Sequence, residues 1–97
     1  GVTLENQNVA MFPDAPTLRG IKHINDLIIS IDEGYEAYIF FIIQMKGVSY
    51  FTPNNMMHKD FGDALATAKE KGVNILALDT IVTKDSIKAD EFIEVKV

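Results

Sequence analysis

The sequence contains no cysteine, which removes disulfides, zinc fingers, iron–sulfur clusters and thiol nucleophiles together. It has no long apolar run. The longest, Ala37 to Met45, covers less than half of the ~20 residues that a membrane-crossing helix needs, so no membrane association is expected. No basic segment leads into an apolar one at the start, and no secretory signal is expected. Positive charge is scarce: 9 Lys and Arg stand against 14 Asp and Glu, for a net charge of −5. Phosphate affinity comes from clustered cations, so these residues alone are not expected to grip a nucleic-acid backbone. There is no glycine-rich phosphate loop, no Ser-centred elbow and no two-His metal spacing.

What remains is an ordinary globular composition. With 97 residues, 47% of them hydrophobic and 24% charged, the chain reads as one small domain, residues 1–97. A domain of this size buries about two-thirds of the surface of its unfolded chain, which leaves a thin margin of stability. The chain opens without Met, already in strand-like alternation at Gly1-Val2-Thr3-Leu4, and is expected to be a piece of a longer protein.

Hydrophobic periodicity places the elements. Val2 and Leu4, then Val9, Met11 and Phe12, read as short strands around an Asn6-Gln7-Asn8 turn. Pro13 and Pro16 bracket Asp14 in a rigid loop. Thr17 is a good N-cap, and Ile21, Ile24, Leu27, Ile28 and Ile31 form the stripe of an amphipathic helix over about 17–33, closed by Gly34. Residues 36–45 are rich in β-branched and aromatic side chains without alternation, which predicts a central strand buried on both faces. Tyr50 to Thr52 is a short extended piece. Phe61, Leu65 and Ala68 predict a second helix over 59–71, capped by Gly72, with Asp60 and Asp63 at its start and Lys69 and Lys71 at its end as the helix dipole favours. Val73 to Val82 and Phe92 to Val97 complete the strands. Strands alternating with helices imply a small α/β fold: one mixed sheet with two crossover helices.

The densest polar cluster runs from Phe12 to His23. On a helical wheel Arg19, Lys22, His23 and Asp26 share the face opposite the isoleucines. A helix N-terminus offers free N–H groups, and these cations beside it would suit a phosphate; a solvated face accounts for the same charges. Gly20 in the first turn costs about 1 kcal/mol relative to Ala, and close approach of a ligand or another backbone is one reason for it. Asp14 is either a metal ligand or a turn or capping residue. Gln44, polar at the end of an apolar strand, is either a site residue or a side chain that has reached solvent. Asp60 and Asp63 are explained by the dipole, and Met45, Met56 and Met57 by packing or loop positions. Pro13-Asp14 and Glu94-Val95-Lys96 spell parts of a metal-dependent nuclease signature, but the second falls on an alternating edge strand, so Glu94 and Lys96 are not taken as catalytic.

The string Phe12-Pro13-Asp14-Ala15-Pro16-Thr17-Leu18-Arg19-Gly20-Ile21-Lys22-His23 closely resembles the sugar fermentation stimulation protein A family. So do Gly1 to Glu5, Glu33 to Ala37, Phe41 to Gln44, Phe51 to Asn54 and Ala68 to Ala77. The resemblance covers nearly the whole chain. It implies a cytoplasmic bacterial or archaeal protein, DNA-binding and affecting maltose and other sugar metabolism, more than twice this long. An N-terminal OB-like barrel would precede a C-terminal domain of restriction-endonuclease-like PD-(D/E)xK fold, to which these residues would belong. The acidity of these residues favours giving most DNA contact to the barrel, with Thr17, Arg19, Gly20, Lys22 and His23 as a local phosphate contact; the alternative is a purely structural or dimerisation domain.

In that family a Glu-Val-Lys triplet directly precedes the Gly/Asn-Val-Thr-Leu segment, and a further Asp motif lies upstream. Such nucleases need carboxylates to hold a divalent cation and a Lys to orient the attacking water. Asp14, as a metal ligand, and Gln44 would then be the remainder of a catalytic site for Mg²⁺ or Mn²⁺ in the full-length protein, incomplete here. Strands lost upstream would also leave a sheet edge open to self-association.

Overall fold

A computed structural model of the chain describes residues 3–5 and 8–97. The element order is β1 (Thr3–Glu5), β2 (Val9–Phe12), α1 (Leu18–Asp32), β3 (Tyr38–Ile43), β4 (Tyr50–Pro53), α2 (Lys59–Lys71), β5 (Asn74–Val82) and β6 (Ile87–Ile93). The architecture is α/β with mixed pairing, as the alternation of strands and helices implies.

Both helices start and stop where local chemistry dictates. Thr17 is extended, and its hydroxyl accepts the Gly20 N–H at 3.0 Å, satisfying one of the donors that a helix start leaves unpaired. At the other end the Gly34 N–H bonds the Ile31 carbonyl and the Tyr35 N–H bonds that of Ser30, both at 3.0 Å, with Gly34 at φ +92°. This is a Schellman closure, and the left-handed residue it requires is the glycine. Helix α2 ends on Gly72 at φ +105°. Of the turn expected at 6–8, Asn6 and Gln7 lie outside the described residues; Asn8 takes φ +61°, a region that Asn tolerates.

The expected single sheet is instead two three-stranded sheets, ordered β1-β2-β4 and β3-β5-β6. In the first, β2 runs antiparallel to β1 and parallel to β4; in the second, β5 runs parallel to β3 and antiparallel to β6. The crossovers interleave: the chain leaves β2 through α1, lays β3 in the other sheet, and returns to β4 before α2 leads to β5. An isolated parallel bridge joins the sheets, with the Phe51 N–H bonding the Glu94 carbonyl and the Lys96 N–H bonding that of Phe51, both at 2.8 Å. Glu94-Val95-Lys96 is thus a seam beside β4, with the Lys96 ammonium 4.1 Å from the centre of the Tyr50 ring.

The core lies between the helices and the inner faces of both sheets. Ile24 from α1 and Phe61, Leu65 and Ala68 from α2 meet Ala10, Phe51, Phe41, Ile43 and Ala77 from the strands. Phe51 and Phe41 stack at 4.2 Å between ring centroids, which ties β4 to β3 across the gap between the sheets.

The strand expected to be central is not. Among the described residues β3 bonds only β5 and lies at an edge, and its side chains alternate: Phe41 and Ile43 are buried, whereas Tyr38, Phe40 and Ile42 are about half exposed. Both of its faces are apolar, but only one is covered, and an apolar run cannot distinguish these cases. The central strand of that sheet is β5.

Candidate functional site

The loop after β2 and the first turns of α1 hold most of the residues that the sequence singles out. Asp14 lies two residues beyond β2 and is exposed, and Thr17, three residues on, caps the helix. The Thr17 N–H donates to Nδ1 of His58 at 3.0 Å. His58 is itself the N-cap position of α2, so one hydrogen bond ties together the starts of both helices. Nδ1 must be unprotonated to accept it, which fixes the proton of the neutral ring on Nε2. Donor and acceptor are 41 residues apart, so no local sequence pattern announces this contact.

Gly20 has a packing cause. A Cβ at this position would stand 3.0 Å from Cε1 of Phe61 and 3.0 Å from the Thr17 side chain, so the close approach is that of α2. Arg19, Lys22 and His23 are exposed on α1. Lys22 bonds Asp26 one turn on at 3.2 Å, an exposed pair of small energetic weight. Gln44 is exposed one residue beyond β3. The outer face of the first sheet carries a groove of about 550 Å³ lined by Val9, Met11, Tyr50, Thr52, Asn54, Met56 and Met57, and none of the predicted site residues lines it.

A second polar centre lies on the sheet β3-β5-β6, away from the residues that the sequence pattern singles out. Leu78 faces Phe92 and Thr80 faces Ala89, so β6 carries one extra residue and Asp90 and Glu91 together oppose Asp79. Asp79 is buried; its Oδ1 accepts the Glu91 N–H at 2.8 Å and its Oδ2 is 2.9 Å from the Lys46 ammonium. That ammonium also bonds Asp90 and stands 3.5 Å from Glu91. The Glu91 N–H first, and Lys46 second, hold the Asp79 carboxyl below its ordinary pKa, while Asp90 and then Asp79 raise that of Lys46. The signal for this centre was present: Asp79 is the one charged residue in the apolar run Ile75–Val82.

Among the described residues, Asp79, Asp90 and Glu91 form the one group of three carboxylate or imidazole side chains close enough to share a cation. Lys46 already sits among the three carboxylates and offsets one of their charges. Asp14 belongs to no such group, so the residues present do not by themselves fit the Mg²⁺ or Mn²⁺ that the resemblance implies at Asp14.

Comparison with known proteins bears on the whole chain. The family model described as "Sugar fermentation stimulation protein RE domain" matches residues 1–86. The sugar fermentation stimulation protein homolog of Desulfitobacterium hafniense (strain Y51) is 59% identical over 96 residues, which are 99% of this chain and 42% of that protein. The homolog of Ruminiclostridium cellulolyticum is 56% identical with the same coverage. A solved structure, that of Pyrococcus furiosus SfsA in complex with Ca²⁺, superposes with a TM-score of 0.88 at 32% identity, over 99% of this chain and 42% of that one. The chain therefore spans less than half the length of the relatives it matches. No helix among the described residues is long and apolar enough to cross a membrane. The chain belongs to the sugar fermentation stimulation protein family.

Proposed function

We propose that these residues are the nuclease-like, C-terminal part of a cytoplasmic DNA-binding regulator of sugar metabolism, maltose included, with a restriction-endonuclease-like fold. The observation that carries the reading is the start of α1. In a chain of net charge −5, Arg19, Lys22 and His23 stand exposed within the first two turns, directly after the Asp14 loop, and the helix start is pinned by Thr17 and His58. A helix N-terminus with flanking cations suits one phosphodiester; the Thr17 and Gly20 N–H groups are already bonded to His58 and to the Thr17 hydroxyl, so the contact falls to the side chains of Arg19, Lys22 and His23. The overall acidity favours leaving the remaining DNA contacts to the part of the protein that lies outside this match.

The test is the salt dependence of DNA binding by a full-length protein carrying these residues. Replacing Arg19 and Lys22 with Ala should lower the slope of log K against log[salt] by about one unit per lost phosphate contact. An unchanged slope would remove α1 from the interface.

A second reading, a metal-dependent phosphodiesterase in the full-length protein, is favoured by the Ca²⁺ in the solved relative. It assigns Asp14 and Gln44 to a site completed from upstream. Metal-dependent cleavage by the full-length protein supports this reading; the 97 residues alone should not turn over DNA or RNA with Mg²⁺ or Mn²⁺, and cleavage by them would show that their site is not an incomplete one.

A further inference from the structure

The N-cap residues of the two helices are bonded to each other, and the bond is made by a residue that caps neither helix well. Thr17 caps α1 with its hydroxyl, which leaves its own N–H to be satisfied from outside that helix. The acceptor is Nδ1 of His58 at 3.0 Å, in a half-buried position. His58 holds the N-cap position of α2, yet its side chain makes no capping bond to that helix. Asn, Asp, Ser or Thr is the ordinary residue there. In Asn and Asp an oxygen on Cγ stands where Nδ1 stands in histidine, so either could offer the same acceptor. What histidine alone adds is an acceptor that a proton switches off near neutral pH. Beside this bond the helices approach closely at Gly20 and Phe61.

We infer that His58 is an acid-opened tie between the starts of α1 and α2. The neutral ring, with its proton on Nε2, accepts the Thr17 N–H. A second proton must go to Nδ1, and two N–H groups then face each other. The charge it brings stands at the N-terminal ends of both helices, where the backbone dipole disfavours a cation. The charged groups on the elements that meet here divide by sign. Arg19, Lys22 and His23 on α1 and Lys59 on α2 oppose the new charge. Asp14 in the loop and Asp60 in the first turn of α2 favour it, while Asp63 is bonded to Lys59 at 2.8 Å and Asp26 to Lys22 at 3.2 Å. The link Asn54-Asn55-Met56-Met57 between β4 and α2 adds no charge. Whatever balance these groups strike, an imidazolium has no acceptor left, so the bond to Thr17 goes with the second proton. Its loss frees the first turn of α1, and with it the face that bears Arg19, Lys22 and His23. The tie is a contact between the helices and holds whether or not that face meets a phosphate.

The test is amide exchange at Thr17 in the full-length protein that carries these residues, expressed as protection relative to a free amide at the same pH. In the parent, protection should fall about tenfold between about pH 8 and pH 5, the interval in which imidazole titrates. His58→Asn keeps an acceptor on Cγ that takes up no proton, so its protection should stay level over that interval. His58→Phe keeps the bulk of the ring without an acceptor and should be poorly protected at both ends. Ring nitrogen chemical shifts at the upper pH should show Nδ1 of His58 without a proton. Level protection in the parent, an equal fall in His58→Asn, parental protection in His58→Phe at the upper pH, or a proton on Nδ1 there would each overturn the inference. Should His58→Phe fail to fold, the parent against His58→Asn decides the matter alone. The salt slope of DNA binding reads the phosphate contact separately, so either result can fail without the other.

Discussion

Asp79 interrupts an apolar strand, and what surrounds it decides whether it is tolerated. A buried carboxylate is costly unless it is paired and its lone pairs are satisfied. Here the bulge in β6 turns the Glu91 N–H toward one oxygen, and Lys46 reaches the other from the end of β3. Asp79→Asn keeps the shape but leaves the ammonium without its buried partner, so the melting temperature at pH 7 should fall by several degrees. The pH dependence follows from the direction of the shift. The folded pKa of Asp79 lies below its unfolded value, so its contribution is complete above the unfolded pKa, about 3.9, and is lost as pH falls through the folded one. Melting curves between pH 7 and 2 should show this acid loss in the parent chain, and a smaller one in Asp79→Asn. Equal acid sensitivity would mean that the carboxylate contributes nothing. The cluster's existence could be suspected from one aspartate among apolar neighbours; its composition could not, because Lys46 and Asp90 meet only through tertiary structure.

At the scale of elements, local chemistry was legible and lateral position was not. Helix α1 illustrates the first point: Thr17, the isoleucine stripe and Gly34 act within a few residues of one another, and all three do what their positions predict. Helix α2 runs over the expected residues and ends on Gly72 for the same reason. Strand β3 illustrates the second. Its apolar run encodes a strand correctly, but which neighbour lies on each side depends on where the interleaved crossovers deposit it. The Asp14 loop and the cations of α1 were legible as a cluster, whereas the His58 contact that pins them was not. The local part can be tested at Gly34. A Cβ there would meet nothing within 4 Å, so only the backbone resists substitution at φ +92°. Gly34→Ala should cost about 1 kcal/mol in urea denaturation, from the left-handed conformation alone. Gly34→Asn should recover part of that loss. No change in either variant would show that the Schellman closure does not hold the end of α1.

At the scale of the whole molecule, the two sheets have no independent existence in the chain order. Each parallel pair is formed by strands between which the chain has visited the other sheet, so neither sheet can close before part of its neighbour is laid down. The physical coupling runs through Phe51. It is fully buried, stacks on Phe41 of the other sheet, and carries the backbone bridge to Val95, while Thr52 beside it bonds the Lys96 carbonyl at 2.8 Å. Unfolding should therefore be one transition, with amide exchange in β2 and in β5 opening at the same urea midpoint as the circular dichroism signal. Phe51→Ala removes the stack and leaves a cavity at the junction, for which about 3–5 kcal/mol is expected. Small domains hold only about 5–15 kcal/mol in total. The variant should then unfold at a much lower urea concentration, or be largely unfolded without urea, and both sheets should go together. If β5 stays protected while β2 exchanges freely, the sheets are separable and the junction at Phe51 is not what makes them one fold.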